Sequence, residues 1–323
     1  MRIVLTTIAQ LAACALAMLP ASAPAQDYPS HAIRFVVPFT AGSATDALAR
    51  ILGQKLNAAF GWTVVVENIA GASGQTAASN VARAAPDGYT VFVTSNTTHA
   101  ANANLYKKLS YDPIADFEPV TRLGNITLAL AVSPSVPAAT VAELIAFGKA
   151  NPGKLSFGAG STSARMASEM LKSRGGFEML HVPYRANPLA VADLLGGQIS
   201  LVFADISTTL PQIRAGKVKG LGVSSLARSP LAPDLPTMVE EGLPDFEMIG
   251  WFAAFVPAKT PRPVIDKLNS AFKTAMADKS VEAALLTAGI EPVTSTPEEL
   301  RGYVVSETKK WAEIVKTAGI EPE

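Results

Sequence analysis

The chain has 323 residues, 49% of them hydrophobic and 17% charged, with 27 basic and 27 acidic side chains. The hydrophobic share is far too high for a disordered chain, and the length suggests about two domains of ~150 residues. Balanced charge excludes a general nucleic-acid binder, because such a protein neutralises phosphates with a basic surface.

Residues 1–25 contain one charge, Arg2, then an apolar run from Ile3 to Leu19, then small residues ending in Ala23-Pro24-Ala25. This is the pattern of a secretory signal peptide, with Gln26 as the expected first mature residue. The only cysteine, Cys14, follows Leu11-Ala12-Ala13 and so resembles a lipoprotein box. The short run before it and the signal-like residues after it favour an ordinary signal over a lipid anchor. An exported chain left without cysteine has no disulfide and no thiol chemistry, which suits a bacterial periplasm. No later stretch is long and apolar enough to span a bilayer.

Ile33–Val37 reads as a buried strand, followed by a small-residue loop from Pro38 to Thr45. A helix follows in which Leu48, Ile51, Leu52, Leu56 and Phe60 recur at spacings of three and four, with Asp46 near its start. Thr63–Val66 is the next strand; Gly71-Ala72-Ser73-Gly74 then leads into an Ala-rich helix that ends before the turn Pro86-Asp87-Gly88. Tyr89–Thr94 is a third strand, and Ser95 to His99 a polar loop. After a break the pattern returns: strand Ile126–Val132, helix Val141–Lys149, strand Leu155–Phe157, the loop Gly158 to Ser163 and a helix. Met179–Val182, helix Pro188–Leu195 and Ile199–Phe203 continue it, with Asn187 expected to cap the helix that Pro188 opens. Trp251–Val256 is a last strand before Pro-bounded helices.

Alternating strands and helices predict an α/β fold with mainly parallel sheets. The C-terminal segment has too few strands to stand alone, so the chain is read as two lobes with a double crossing. The first takes 27–123 and 249–323, and the second 124–248.

In open α/β sheets ligands bind beyond the C-terminal strand ends. Four loops there, Pro38 to Asp46, Gly71 to Thr76, Ser95 to His99 and Gly158 to Arg165, are rich in Gly, Ala, Ser, Thr and Asn. Three lead into helices, whose free N–H groups and positive dipole ends suit a carboxylate or phosphate. Gly71–Thr76 lacks a lysine before its threonine, and Gly158-Ala159-Gly160 lacks a third glycine, so neither is a nucleotide loop. Three histidines, His31, His99 and His181, without an HExxH helix or Cys/His cluster give no metal site, and no cofactor is implied. A hydrolase triad of Ser161, His181 and Asp205 can be drawn, although Ser161 has no G-x-S-x-G elbow. An effector-binding module of a regulator is a third reading, opposed by the signal peptide. Tyr184 and Trp251 either line the cleft or belong to the core.

Together, these loops and their neighbours resemble the Bug-type solute-binding proteins of tripartite tricarboxylate transporters. The matching segments run in order from Tyr28-Pro29 and the first loop through Val65–Gly74, Pro86–Thr90, Tyr111-Asp112-Pro113, Val182-Pro183-Tyr184, Asp193–Gln198 and Leu235-Pro236-Thr237. The resemblance implies a two-lobed type II periplasmic-binding-protein fold of the Venus flytrap kind, with two mixed sheets flanked by helices and a cleft between the lobes. It implies a monomeric receptor that is not an enzyme. By hinge closure it captures a small mono-, di- or tricarboxylate and delivers it to membrane permease subunits. Carried onto this sequence, the ligand contacts are Phe39, Ala41, Ser43, Thr45 and Asp46 on one side and Gly160, Ser161, Thr162 and Ser163 on the other. Ser95, Asn96, Tyr184 and Asp205 are additions from cleft-edge loops. Arg165 stands where histidine is usual in such proteins and is expected either to fork a second ligand carboxylate or to lie at the surface. Ser43 and Ser73 stand where such proteins usually have glycine.

Overall fold

Strand β1 (Ile33–Val37), buried at four of its five positions, lies inside a five-stranded sheet. Its neighbours are β2 (Val64–Asn68) and β3 (Thr90–Ser95), both parallel to it. Beyond β3 lie β10 (Gly250–Pro257) and then β4 (Phe117–Ile126), with β10 antiparallel to both. The computed structural model describes residues 28–317 and 319–322. The expected signal peptide, its cut before Gln26 and Cys14 lie outside the described residues.

Helix α1 (Ala44–Phe60) begins where Ser43 Oγ accepts the Asp46 N–H at 3.2 Å and ends at Gly61, whose φ of 70° provides the left-handed cap. Leu48, Leu52 and Leu56, one turn apart, form its buried stripe. The second sheet repeats the plan of the first. A parallel trio, β7 (Leu180–Pro183), β6 (Ser156–Ala159) and β8 (Leu201–Asp205), is followed by antiparallel β5 (Leu128–Val132) and then by β9 (Lys219–Val223). The sheets are mixed, as the resemblance implies and the alternation alone did not. From Ala32 onward the chain is one compact unit that holds both sheets.

The run Ile126–Val132, read from sequence as one strand, is two. Thr127 separates β4 in the first sheet from β5 in the second. Most of β4 was not read as a strand, because Pro119 and the charged Glu118 and Arg122 dilute its pattern. As an edge strand it tolerates all three. The return passage runs between β9 and β10. Ser224, fully buried, joins the two passages: its Oγ accepts the Leu128 N–H at 3.1 Å and donates to the Met248 carbonyl at 2.6 Å.

Ser95 to His99 is not an open loop. The strand continues through Ser95, and a π-helical turn, Thr97–Ala101, runs into α3 (Asn102–Leu105). His99 is fully buried, stacked on Phe255 at 3.8 Å and beside Thr98 Oγ1 at 2.9 Å; burial pushes its imidazole down to about 3, so it is a neutral core group. Trp251 also proves to be core: it is fully buried, and its indole N–H donates at 3.0 Å to Glu307 on the long C-terminal helix Pro297–Thr317.

Candidate functional site

A cavity of about 300 Å³ opens between the loops of the two sheets. On the second-sheet side it is lined by the turn from β6 into helix α5 (Thr162–Gly175), namely Gly160, Ser161, Thr162 and Arg165, and by His181 and Tyr184 from β7 and beyond. Opposite stand Ser73, Asn102 and Tyr106, and Ile320 and Glu321 complete the lining.

The second-sheet wall is built as a frame around backbone donors. Ser161 caps α5, its Oγ accepting the Ala164 N–H at 3.2 Å, so Thr162 and Ser163 are left with N–H groups that have no partner within the helix. These lie at the positive end of the helix dipole. Asn187 holds the loop from behind: its Oδ1 accepts the Gly160 N–H at 3.0 Å, and its Nδ2 donates to Ser161 Oγ at 3.2 Å. Asn187 was expected to cap its own helix. Instead it is the first residue of α6 (Asn187–Leu195), Ala186 takes the cap position, and the amide reaches across to the neighbouring loop. Burial raises the Asp205 carboxyl above its ordinary value, with the neighbouring Asn187 amide acting in the opposite sense. Tyr184 donates to Asp193 at 2.7 Å.

Opposite, residues 71–74 form a left-handed turn with φ of 138°, 44°, 52° and 82°. Ala72 and Ser73 adopt there a conformation that glycine takes without strain, at a cost on the order of 1 kcal/mol each. Ser73 is held in it from both ends: its hydroxyl lies 2.9 Å from Tyr106 Oη, and its carbonyl accepts from Asn102 Nδ2 at 3.0 Å. The strained turn thus contributes Ser73 to the cavity wall, with Tyr106 and Asn102 fixing its shape.

Of the sequence-derived site residues, the cavity lining gathers Gly160, Ser161, Thr162, Arg165 and Tyr184. Asn96 and Ser163 are not in the lining but bond to each other, Asn96 Nδ2 donating to Ser163 Oγ at 3.4 Å. Ser95 Oγ instead accepts from the Thr97 N–H at 3.3 Å. Phe39, Ala41, Ser43, Thr45 and Asp46 are not in the lining. Asp46 shapes its own loop: its carboxylate accepts from the Gly42 N–H at 2.9 Å, Arg50 Nε at 3.0 Å and Asn68 Nδ2 at 3.0 Å, and Asn68 also donates to the Phe39 carbonyl. Ser43 Oγ is engaged as the helix cap. Asn102 and Tyr106 escaped the sequence reading, since their stretch carries no glycine or strand-end signal. Ser73 lies in a loop that was marked without being assigned a role.

Burial acts to raise the Asp46 carboxyl, but the hydrogen bonds from Arg50, Gly42 and Asn68 outweigh it and hold it below 3.8. A depressed carboxyl stabilises the fold above its unfolded pKa and loses that stabilisation as pH falls through the folded value. Asp46→Asn is therefore expected to cost about 2 kcal/mol at neutral pH. The melting-temperature gap to the parent chain should shrink as pH falls below 3.8; a gap constant down to strong acid would exclude this role.

Ser161, His181 and Asp205 do not form a triad. Ser161 Oγ is engaged by Ala164 and Asn187, and His181 Nε2 has no hydrogen-bond partner and so bonds to neither Ser161 nor Asp205. His181 instead stacks on Phe157 with ring centroids 4.9 Å apart. Among the described residues, no group of three or more His, Cys, Asp or Glu side chains is arranged to hold a metal.

Twin mixed sheets joined by two crossings, with a polar cavity between their loops, define a two-lobed solute-binding receptor. Residues 48–320 match the tripartite tricarboxylate transporter family receptor, and the chain belongs to that family of periplasmic receptors. It is 34% identical to the protein BugT of Bordetella pertussis over 94% of each chain. The fold superposes with a TM-score of 0.80 on R. palustris Rpa4515 with adipate, at 33% identity, covering 92% of this chain and 100% of that one. With MatC from Rhodopseudomonas palustris with bound malate the TM-score is 0.73 at 31% identity, covering 89% and 100%.

Proposed function

We propose that this chain is an exported receptor, cut before Gln26, that captures a small organic carboxylate between its lobes and presents it to membrane permease subunits without turning it over. The observation that carries the reading is the cavity in which the α5 N-terminus, with free N–H groups and the hydroxyls of Ser161 and Thr162, faces Ser73 and Tyr106. Such a site holds an anion by dipoles and hydrogen bonds, with little dependence on net charge. Adipate and malate in two related structures support a carboxylate as the guest. The lobes are taken as 27–123 with 249–323 and as 124–248. They close about the passages that Ser224 joins, bringing the exposed first loop around Ala41 toward the guest. Hydrolysis is disfavoured because Ser161 has no base within hydrogen-bond reach.

The test is a panel of mono-, di- and tricarboxylates against the mature chain, read by calorimetry and melting temperature. A true ligand at about 100 times its Kd adds about 2.7 kcal/mol of stability, a rise of several degrees. No response to any acid overturns the proposal, as does an exported chain that begins elsewhere than Gln26 for the cleavage site.

A further inference from the structure

Two buried nitrogen atoms in the cavity lining are without a partner. Arg165 Nε and His181 Nε2 make no hydrogen bond, although both are shielded from solvent. A buried donor left unmade costs roughly 1–3 kcal/mol, so two together in one cavity mark a place where a guest supplies acceptors. Their positions are fixed by the fold. Arg165 lies four residues beyond the Ser161 cap, about 6 Å further along the axis of α5. His181 sits in β7, opposite Phe157 of β6 in register and stacked on its ring.

The charges around the pair agree. Burial first, and then the nearby Arg165 cation, hold the His181 imidazole below its ordinary value, with Glu169 acting in the opposite sense. At neutral pH the histidine is therefore a neutral group able to present an N–H, while the guanidinium carries the charge. Glu169 is engaged by Lys172 at 3.0 Å. Glu321, the one carboxylate among the described residues of the lining, is exposed and screened by water.

We infer that Arg165 and His181 form a second anion subsite, one helical turn from the α5 N-terminus, which makes the preferred guest a linear dicarboxylate that spans the two. This inference rests on the proposed carboxylate-receptor function and assigns a substrate class to the same cavity. One carboxylate meets the Thr162 and Ser163 N–H groups. The other takes a charge-assisted hydrogen bond from the guanidinium and one from the imidazole.

The test compares adipate with hexanoate, and succinate with butyrate, by calorimetry on the mature chain. The parent chain is expected to bind a dicarboxylate at least about tenfold more tightly than the monocarboxylate of equal length. Arg165→Met should erase most of that ratio, and Arg165→Lys should restore part of it, since a lysine keeps the charge but not the fork. His181→Phe keeps the stacking on Phe157 and should lower the ratio by a smaller factor. Unliganded melting temperatures close to that of the parent chain establish that these variants fold. Equal binding of both acids by the parent chain, or a ratio unchanged in Arg165→Met, overturns the subsite and leaves the receptor reading intact. Binding of no carboxylate overturns both.

Discussion

Gly160→Ala is expected to cost about 3 kcal/mol of stability and to remove measurable carboxylate binding. A Cβ at residue 160 would lie 2.0 Å from the Ala186 carbonyl carbon, 2.2 Å from the Asn187 nitrogen and 2.4 Å from the Ala186 oxygen. All three are backbone atoms, so no rotamer relieves the clash and the two strand-end loops must separate. Separation breaks the bonds from Asn187 to Gly160 and Ser161, and with them the frame that aims the Thr162 and Ser163 N–H groups into the cavity. Gly42→Ala provides the contrast. Its φ of 83° makes alanine strained, yet an added Cβ meets nothing within 4 Å, so the cost is about 1 kcal/mol and is local. Asn187→Ala removes the bonds without the clash and should reproduce most of the affinity loss with a smaller loss of stability. Thermal melts and calorimetry on the three variants separate these contributions; a Gly160→Ala chain that melts and binds like its parent would mean that the two loops are not held against each other.

Glycine at 160 shows why the site was only partly legible in the sequence. The β6–α5 loop was identified by its small residues and its position before a helix, and it does line the cavity. Small residues were read as room for a ligand to approach backbone, yet at Gly160 the approaching backbone is the protein's own, at Ala186 and Asn187. Composition cannot tell those cases apart, because both need a missing Cβ. Periodicity located α1 and the inner parallel strands β1, β3, β6 and β8, where burial on both faces gives unbroken apolar runs. It passed over most of β4 and all of β9, edge strands carrying Pro119 and the glycines 220 and 222. The tether at Ser224 and the wall formed by Asn102 and Tyr106 arise only when distant segments meet. Asp46 is intermediate: its place near a helix start was visible, but its three protein donors come from Gly42, Arg50 and Asn68, and only the folded loop brings them together.

Lys310→Met, on the C-terminal helix, is expected to cost about 3 kcal/mol or more through the charge it leaves behind. Glu307 is 3% exposed, accepts the Trp251 indole N–H at 3.0 Å and is neutralised by Lys310, which also bonds to Glu247 at 2.9 Å. Without the ammonium, a carboxylate stays in the core with a single neutral donor. Glu247 belongs to the return passage between the sheets and Trp251 to the start of β10, so the cluster clamps the helix onto that passage. Burial acts to lower the Lys310 pKa, but Glu307 and Glu247 prevail and raise it above 10.5. A raised lysine stabilises the fold fully below its unfolded pKa, and that stabilisation is lost as pH rises through the folded value. The parent chain should accordingly lose more stability at strongly alkaline pH than the Lys310→Met chain, narrowing the gap between them. Adding Glu307→Gln replaces the stranded charge with a neutral acceptor for Trp251 and should recover most of the loss. Neither residue lines the cavity, so the rise in melting temperature caused by a saturating carboxylate should survive in all of these variants. If that rise vanished while the unliganded fold stayed intact, the cluster would be coupled to closure and not to stability alone.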